Sequence, residues 1–318
     1  AVRRALRAER PDILVEDVNK VPLYTAGLAP DVPCCVIVPH LFGETAFQQA
    51  SFPVAAAVWL SEQPIPRLYA RAGFHAISES TRDDLVARGV PRDRIRVIHP
   101  GIDLERFSVE PGLDRTPEPS FLYVGRLVRY KGVEVPIEAL ALARRQRTDL
   151  IPNIAGAGDD LPRLRRLAAS RGLGDAVHFL GFVSEADKLR LLRTTWANLF
   201  PSPKEGWGLT VIEAAACGTP SLASDSPGLR DSVRNGETGL LVPHGDAGKL
   251  ADEMLRLADD RALVDRLGSA ARQFAATLGW DRAAEATLTH LEELVAARPG
   301  SLPHARRVHA HDRQRPSL

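Results

Sequence analysis

The 318-residue chain contains one methionine, three cysteines and five lysines. Each scarcity removes a class of explanation. Cys34, Cys35 and Cys217 cannot build a disulfide framework, and two adjacent cysteines make a poor pair, so buried thiols in a reducing compartment are expected. No Cys/His spacing resembles a zinc site. No apolar run reaches the ~18 residues that a membrane span needs, and no signal peptide is read. No internal repeat stands out beyond a strand–helix–strand unit. A net charge of +1 argues against a nucleic-acid partner while leaving room for local basic patches. The lone methionine is Met254, and the chain opens on Ala1 with AVRRALRAERPD, which reads as a helix end running into a strand, so preceding sequence is expected. Arginine supplies most of the basic charge, which makes Lys20, Lys131, Lys188, Lys204 and Lys249 stand out.

What is present is an ordinary globular composition, 44% hydrophobic and 25% charged, at a length that predicts two domains. In the first third, DILVEDV, CCVIVPH, GFHAISES and RIRVIHPGID read as strands. A helical stretch over 46–71 separates the second from the third, with breaks expected near Pro53 and Pro64. STRDDLVARG reads as a helix capped by Ser80 or Thr81, with Gly89 just past its end. SVEPGLDRTPEPS then holds three prolines and little apolar content, as a linker does. Beyond it SFLYVGRL, LIPNIAGAG, AVHFLGFV, ANLFPSP, PSLASD and TGLLVPHGD read as strands or strand–loop segments, the first five separated by helices, and a helical stretch over 247–297 breaks near Gly279. Val/Ile/Leu-rich strands separated by helices of roughly 10–15 residues predict βαβ units and parallel sheets. Two doubly wound α/β domains are therefore expected, the first of them incomplete.

In such sheets ligands bind outside the C-terminal ends of the strands, which directs attention to the loops that follow them. After FLYVG come Arg126 and Lys131, between Gly125 and Gly132, at a turn that opens a helix. Cations and backbone N–H groups converging there suit a phosphate or diphosphate; a solvated basic turn is the other reading. After NLFPSP comes KEGWGLTVIEAAACGTP, where Gly206 and Gly208 permit close backbone approach. A helix is expected from Leu209, ending at Gly218 before Pro220. Glu205 and Glu213 bracket its start with seven residues between them. A carboxylate inside an alanine-rich helix meets either the hydroxyls of a ribose or a buried arginine. Glu205 faces either the group beyond the phosphates or plain solvent. SPGLRDSV and NGETGLLVP read as further loops on the same crevice.

Taken in order, GRLVRYKG, NIAGAGDD, FLGFVSEADKLRLL, FPSPKEGWGLTVIEAAACGTPSLASDSPGLRDSV and NGETGLLVPHGD resemble the donor-binding domain of family-four retaining glycosyltransferases of the GT-B fold. FHAISESTRDDL and VIHPGID carry the likeness into the first domain, so that it runs from Asp12 to about Leu294. The resemblance implies two Rossmann-like domains facing a cleft. Together with the composition it divides the chain into a partial acceptor-side domain (1–107), a linker (108–118), a nucleotide-sugar domain (119–278), a helix packing back toward the first domain (279–298) and a disordered tail (299–318). His304, His309 and His311 in that tail read as solvated.

On matching positions, the resemblance implies that Arg126 and Lys131 bind the donor diphosphate, that Glu205 contacts the donor sugar on the catalytic face, and that Glu213 holds the nucleotide ribose. Gly125 and the backbone around Gly206, Trp207, Gly208, Leu209 and Thr210 would line the donor site. His40, in PHLFG, matches the histidine that the family places beside the donor sugar, although a histidine ending a strand is otherwise a capping or core residue. Gly101, in HPGID, would fall in the cleft. Two departures stand out: the family's N-terminal glycine-rich loop lies outside this sequence, and Asp231 occupies a position where glutamate is usual. No two aspartates follow the Asp-x-Asp spacing of metal-dependent glycosyltransferases. The expected activity is thus a retaining transfer of a hexose-type sugar from a nucleotide-diphosphate sugar to an acceptor hydroxyl, with no metal or other cofactor. The acceptor is a glycan, a lipid-linked or a small molecule, and the expected location is cytoplasmic, with room for peripheral contact at the inner membrane face. A nucleotide-sugar epimerase of the same architecture and a donor-binding fragment without catalysis are the alternatives.

Overall fold

The computed structural model describes residues 2–297, within which ten strands form two separate parallel sheets. In the first, β1 (Leu14–Asp17), β2 (Cys34–Val38), β3 (Gly73–Ala76) and β4 (Ile95–Val97) lie side by side in chain order. The second contains β5 (Ser120–Val124), β6 (Ile151–Ala155), β7 (His178–Gly181), β8 (Ala197–Phe200), β9 (Ser221–Ser224) and β10 (Gly239–Val242). Its spatial order is β10-β9-β8-β5-β6-β7, so the winding direction reverses between β5 and β8. That reversal opens a crevice at the C-terminal ends of those two strands.

Burial on both faces explains why interior strands such as β2, β5 and β8 read as apolar runs rather than alternations. Along β5, Phe121 and Tyr123 enter one core cluster with Leu127, Ile137 and Leu140, whereas Leu122 points the other way to Ile212 and Ala271. A period of two along a strand requires that split.

Helix boundaries depart from the sequence expectation where local chemistry decides them. The stretch over 46–71 is three short helices, Ala46–Gln49, α1 (Phe52–Glu62) and Ile65–Leu68. Its breaks fall beside Pro53 and Pro64 as expected, and Pro53 lies in the first turn of α1, where its missing N–H interrupts no bond. The next helix, α2 (Glu79–Ala87), is capped by Ser78, whose extended backbone lets its Oγ accept from Thr81 N at 3.1 Å; Ser80 and Thr81 are already inside. Toward the C-terminus the chain breaks at Asp260 as well as before Trp280, because the Asp260 carboxylate accepts from Leu263 N at 2.8 Å and caps a new helix.

The chain passes between the sheets twice. The two passages touch where Ile102 N donates to Leu278 O at 2.8 Å. The last helix, Trp280–Ala296, then lies on the first sheet: a Cβ added at Gly73 would fall 2.4 Å from Leu294 Cδ2, and Arg96 pairs with Glu293. Between the passages, Arg115 of the linker is tied to the second domain through Gly218 O at 2.6 Å and Thr219 Oγ1 at 3.1 Å. No helix of the described residues is long and apolar enough to cross a membrane. Residues 299–318, with their three histidines, lie outside the described residues.

Candidate active site

The loops that follow β5 and β8 meet over the reversal point. Lys131, from the first loop, forms an ion pair with Glu205, from the second; their side chains are only 15% and 16% exposed. Backbone crowding holds both loops from beneath. A Cβ at Gly156 would lie 1.8 Å from Gly125 O, and one at Gly158 would lie 2.0 Å from Leu127 O, so the turn after β6 presses directly under the β5 loop. Gly228, at φ +80°, supports the β8 loop likewise: its Cβ would lie 2.2 Å from Glu205 O. Glu205 N donates to Pro227 O at 3.1 Å, which completes that support. Gly208, at φ +84°, then turns the chain into α3 (Leu209–Ala216). Among the described residues no acceptor meets the N–H of Leu209 or of Thr210, so the positive end of α3 opens toward the crevice.

Glu213 lies one turn along α3 in a cluster of its own. Its Oε1 stands 3.2 Å from Lys188 Nζ, which also lies 3.1 Å from Glu185. Burial pushes the Glu213 carboxyl above the usual carboxylate range, and Lys188 offsets part of that shift. The partner within the protein is thus a lysine and not the arginine weighed from the sequence.

The first domain contributes His40, which follows β2 and packs edge-on against Phe42 with ring centres 4.7 Å apart. Burial holds its imidazole below the ordinary histidine range, with Lys204 and Lys131 pushing the same way and Glu205 and Asp84 opposing them. A neutral imidazole therefore faces a charge-rich cleft. A cavity of about 370 Å³ lies between the domains, bordered by His40, Thr81, Asp84, Lys204, Glu205 and Arg230.

Of the residues singled out in the sequence, His40, Lys131 and Glu205 come together, with Leu209 and Thr210 at the adjacent helix start. Arg126 is exposed on the β5 loop and donates to Tyr130 Oη at 2.7 Å. Gly125 shapes that loop, since its own N–H already donates to Ala155 O at 3.0 Å and is not free for a ligand. Gly206 lies where the domains press together, a Cβ there falling 2.8 Å from Pro39 O. The Trp207 side chain is buried and stacks on His99, 4.1 Å between ring centres and 16° from parallel. Gly101 packs under Trp280, whose Cα would lie 2.5 Å from an added Cβ, where the two passages between the domains meet.

Sequence reasoning did not assign Glu62, Asp84, Lys188 or Lys204. The scarcity of lysine was the available signal: Lys131, Lys188 and Lys204 each pair with a carboxylate at the crevice or across it.

Comparison with known proteins gives this geometry its family. The model of the family Glycosyl transferases group 1 matches residues 107–274, and that of Glycosyltransferase Family 4 matches residues 1–106. The D-inositol 3-phosphate glycosyltransferase of Streptomyces bingchenggensis is 33% identical over 260 residues, covering 76% of this chain and 57% of its own length. The glycogen synthase of Mycobacterium tuberculosis is 37% identical over 194 residues, covering 61% of this chain and 47% of its own. The chain thus spans about half the length of the curated relatives it matches. The crystal structure of Anabaena HepE in complex with UDP superposes with a TM-score of 0.75 at 20% identity, covering 93% of this chain and 82% of that one. The UDP-glucose complex of the same protein superposes at 0.71, again a likeness of fold. With two parallel sheets, a crevice at their facing ends and family models matched along both halves, the chain belongs to the family-four glycosyl transferases group 1 and has their GT-B fold.

Proposed function

We propose that the protein moves a hexose-type sugar from a nucleotide-diphosphate sugar to an acceptor hydroxyl with retention of configuration. The observation that carries this reading is the Lys131–Glu205 pair, set beside the unpaired N–H groups that open α3 and faced by the neutral His40. Transfer requires stabilisation of a leaving diphosphate as its negative charge grows. A preorganised cation and oriented amides in a partly dry site supply that stabilisation without a resident metal. Lys131 and Arg126 meet the diphosphate, and the N–H groups of Leu209 and Thr210 add to them. Glu205, whose charge Lys131 balances, faces the donor sugar, and His40 approaches the same sugar from the first domain. Glu213 turns from Lys188 toward the ribose hydroxyls, which suit a carboxylate acceptor.

Uracil is the proposed base, because HepE of the same fold is solved with UDP and with UDP-glucose. Relatives named as transferases favour transfer over epimerisation. Isothermal calorimetry and thermal shift with UDP, GDP and ADP test the donor half, since a ligand of the folded state raises its apparent stability. UDP release from UDP-glucose that depends on an added acceptor tests transfer, and proton NMR of the product's anomeric carbon tests retention. Undiminished turnover in a chelator is expected. Absence of any nucleoside diphosphate binding would sink the reading, and binding without release would reduce it to donor recognition alone.

A further inference from the structure

We propose that Asp84 and Asp231 are positioning residues for the transfer, reaching across the cleft in opposite directions to set where His40 stands against Glu205. The inference rests on the reading of this cleft as the donor site. The first domain presents α2 to the second, and the second grips it at two points. At its first turn Ser80 N donates to Asp231 Oδ2 at 3.0 Å, where the free amides and partial positive charge of a helix start favour a carboxylate. One turn further, Asp84 Oδ2 lies 3.2 Å from Lys204 Nζ.

The second grip continues into the first domain. The other oxygen of Asp84 accepts from Arg88 Nε at 2.9 Å, and Arg88 Nη2 lies 3.4 Å from Glu62 Oε2. Glu62, 2% exposed, accepts the backbone N–H groups of Phe42 at 2.7 Å and Gly43 at 2.9 Å. Charges therefore alternate without interruption from Lys204 through Asp84 and Arg88 to Glu62. One end of the run adjoins Glu205 in sequence, and the other holds the loop that carries His40. Asp231, which departs from the family's usual glutamate, is thereby committed to the first domain.

Asp84 and Lys204 are 26% and 22% exposed, so solvent screens much of their attraction and the pair adds little to stability. Its consequence is geometric. Packing of Gly206 under Pro39 and of Trp207 on His99 brings the domains together, but packing alone does not fix a register; directed hydrogen bonds at two points along α2 do.

The test uses the full chain with spin labels on cysteines introduced by R94C and D252C, one on each domain; the native cysteines are all buried. Pulsed dipolar spectroscopy is expected to show one narrow distance for the parent and a broader, longer distribution for Asp84→Asn/Asp231→Ala. UDP release from UDP-glucose in water is expected to fall about tenfold or more in the double variant, because a misplacement of the order of an ångström is enough. UDP affinity should stay within about twofold, since the diphosphate ligands all lie in the second domain. Asp84→Glu with Asp231 intact should recover most of the rate. An unchanged distance distribution overturns the proposal, and so does a loss of UDP affinity in step with turnover. Failure of the parent to bind UDP counts against the functional reading instead, and the distance measurement still decides the clasp.

Discussion

On the second domain's side of the cleft, Gly156, Gly158, Gly206 and Gly228 stand where any side chain would collide with a neighbouring carbonyl, and Gly208 holds a backbone turn at positive φ. On the first domain's side, the loops after β1 and β2 are held by buried carboxylates. Glu62 accepts two amides behind His40, while Glu16 accepts those of Leu23 and Thr25 together with the Tyr69 hydroxyl. One half is therefore shaped by close backbone approach, the other by side chains that satisfy loop amides. The two halves therefore fail in different ways. A backbone-built half tolerates no added methyl, and a carboxylate-held half tolerates no lost acceptor.

Gly228→Ala should have the largest effect. The unfavourable backbone conformation alone costs about 1–3 kcal/mol, and the collision with Glu205 O adds to it. Denaturant unfolding of the second domain should shift accordingly and UDP binding should be lost; an unaltered UDP affinity would remove the claim that Gly228 supports the β8 loop. Lys131→Ala comes next, with turnover falling roughly a hundredfold, the scale for removing a group aimed at developing charge. Steady-state kinetics in which KM rises and kcat holds would instead assign Lys131 to ground-state binding. Glu213→Ala should weaken UDP binding by about 1.5–3 kcal/mol, the range for a hydrogen bond to a charged group, as read by calorimetry. Equal affinity in that variant would leave Glu213 as the structural partner of Lys188.

The smallest expected effect separates the halves by pH. Burial holds His40, His75 and His290 below the ordinary value of 6.5, and all three lie in the first domain or in the helix packed on it. Below pH 6.5 the unfolded chain takes up protons that these folded sites refuse, so stability falls on acidification. Glu213 acts with the opposite sign in the second domain, since its raised carboxyl makes the folded state the better proton acceptor above 4.5. Melting followed at about pH 7 and pH 5.5 should show the first domain losing more, and His40→Asn should lessen that loss. Equal losses in both halves would erase the distinction.

The alternation of the second domain was legible because β5 and its neighbours are buried on both faces and leave apolar runs in the chain. Its turns were legible for a similar reason, since positive φ and close approach are local demands that glycine meets. The α2 cap was misplaced, because serine at 78 and at 80 look alike until the backbone shows which one is extended. Trp207 and Gly101 meet packing partners, His99 and Trp280, that the sequence did not indicate. A tryptophan beside a glycine turn, or a glycine after a proline, carries no mark of which domain it packs against.

The two-domain α/β class and the glycine-framed loops of the second domain are carried by the sequence alone, because they follow from periodicity and from backbone conformations that one residue type allows, and its ordered motifs carry the resemblance to the family. Only the tertiary structure decided that Lys188 answers Glu213, Lys204 answers Asp84, and Asp231 answers the first turn of α2. Those partners stand 25, 120 and 151 positions apart along the chain. At such separations a charge finds its partner through the packing of helices and domains against one another, which no local pattern records.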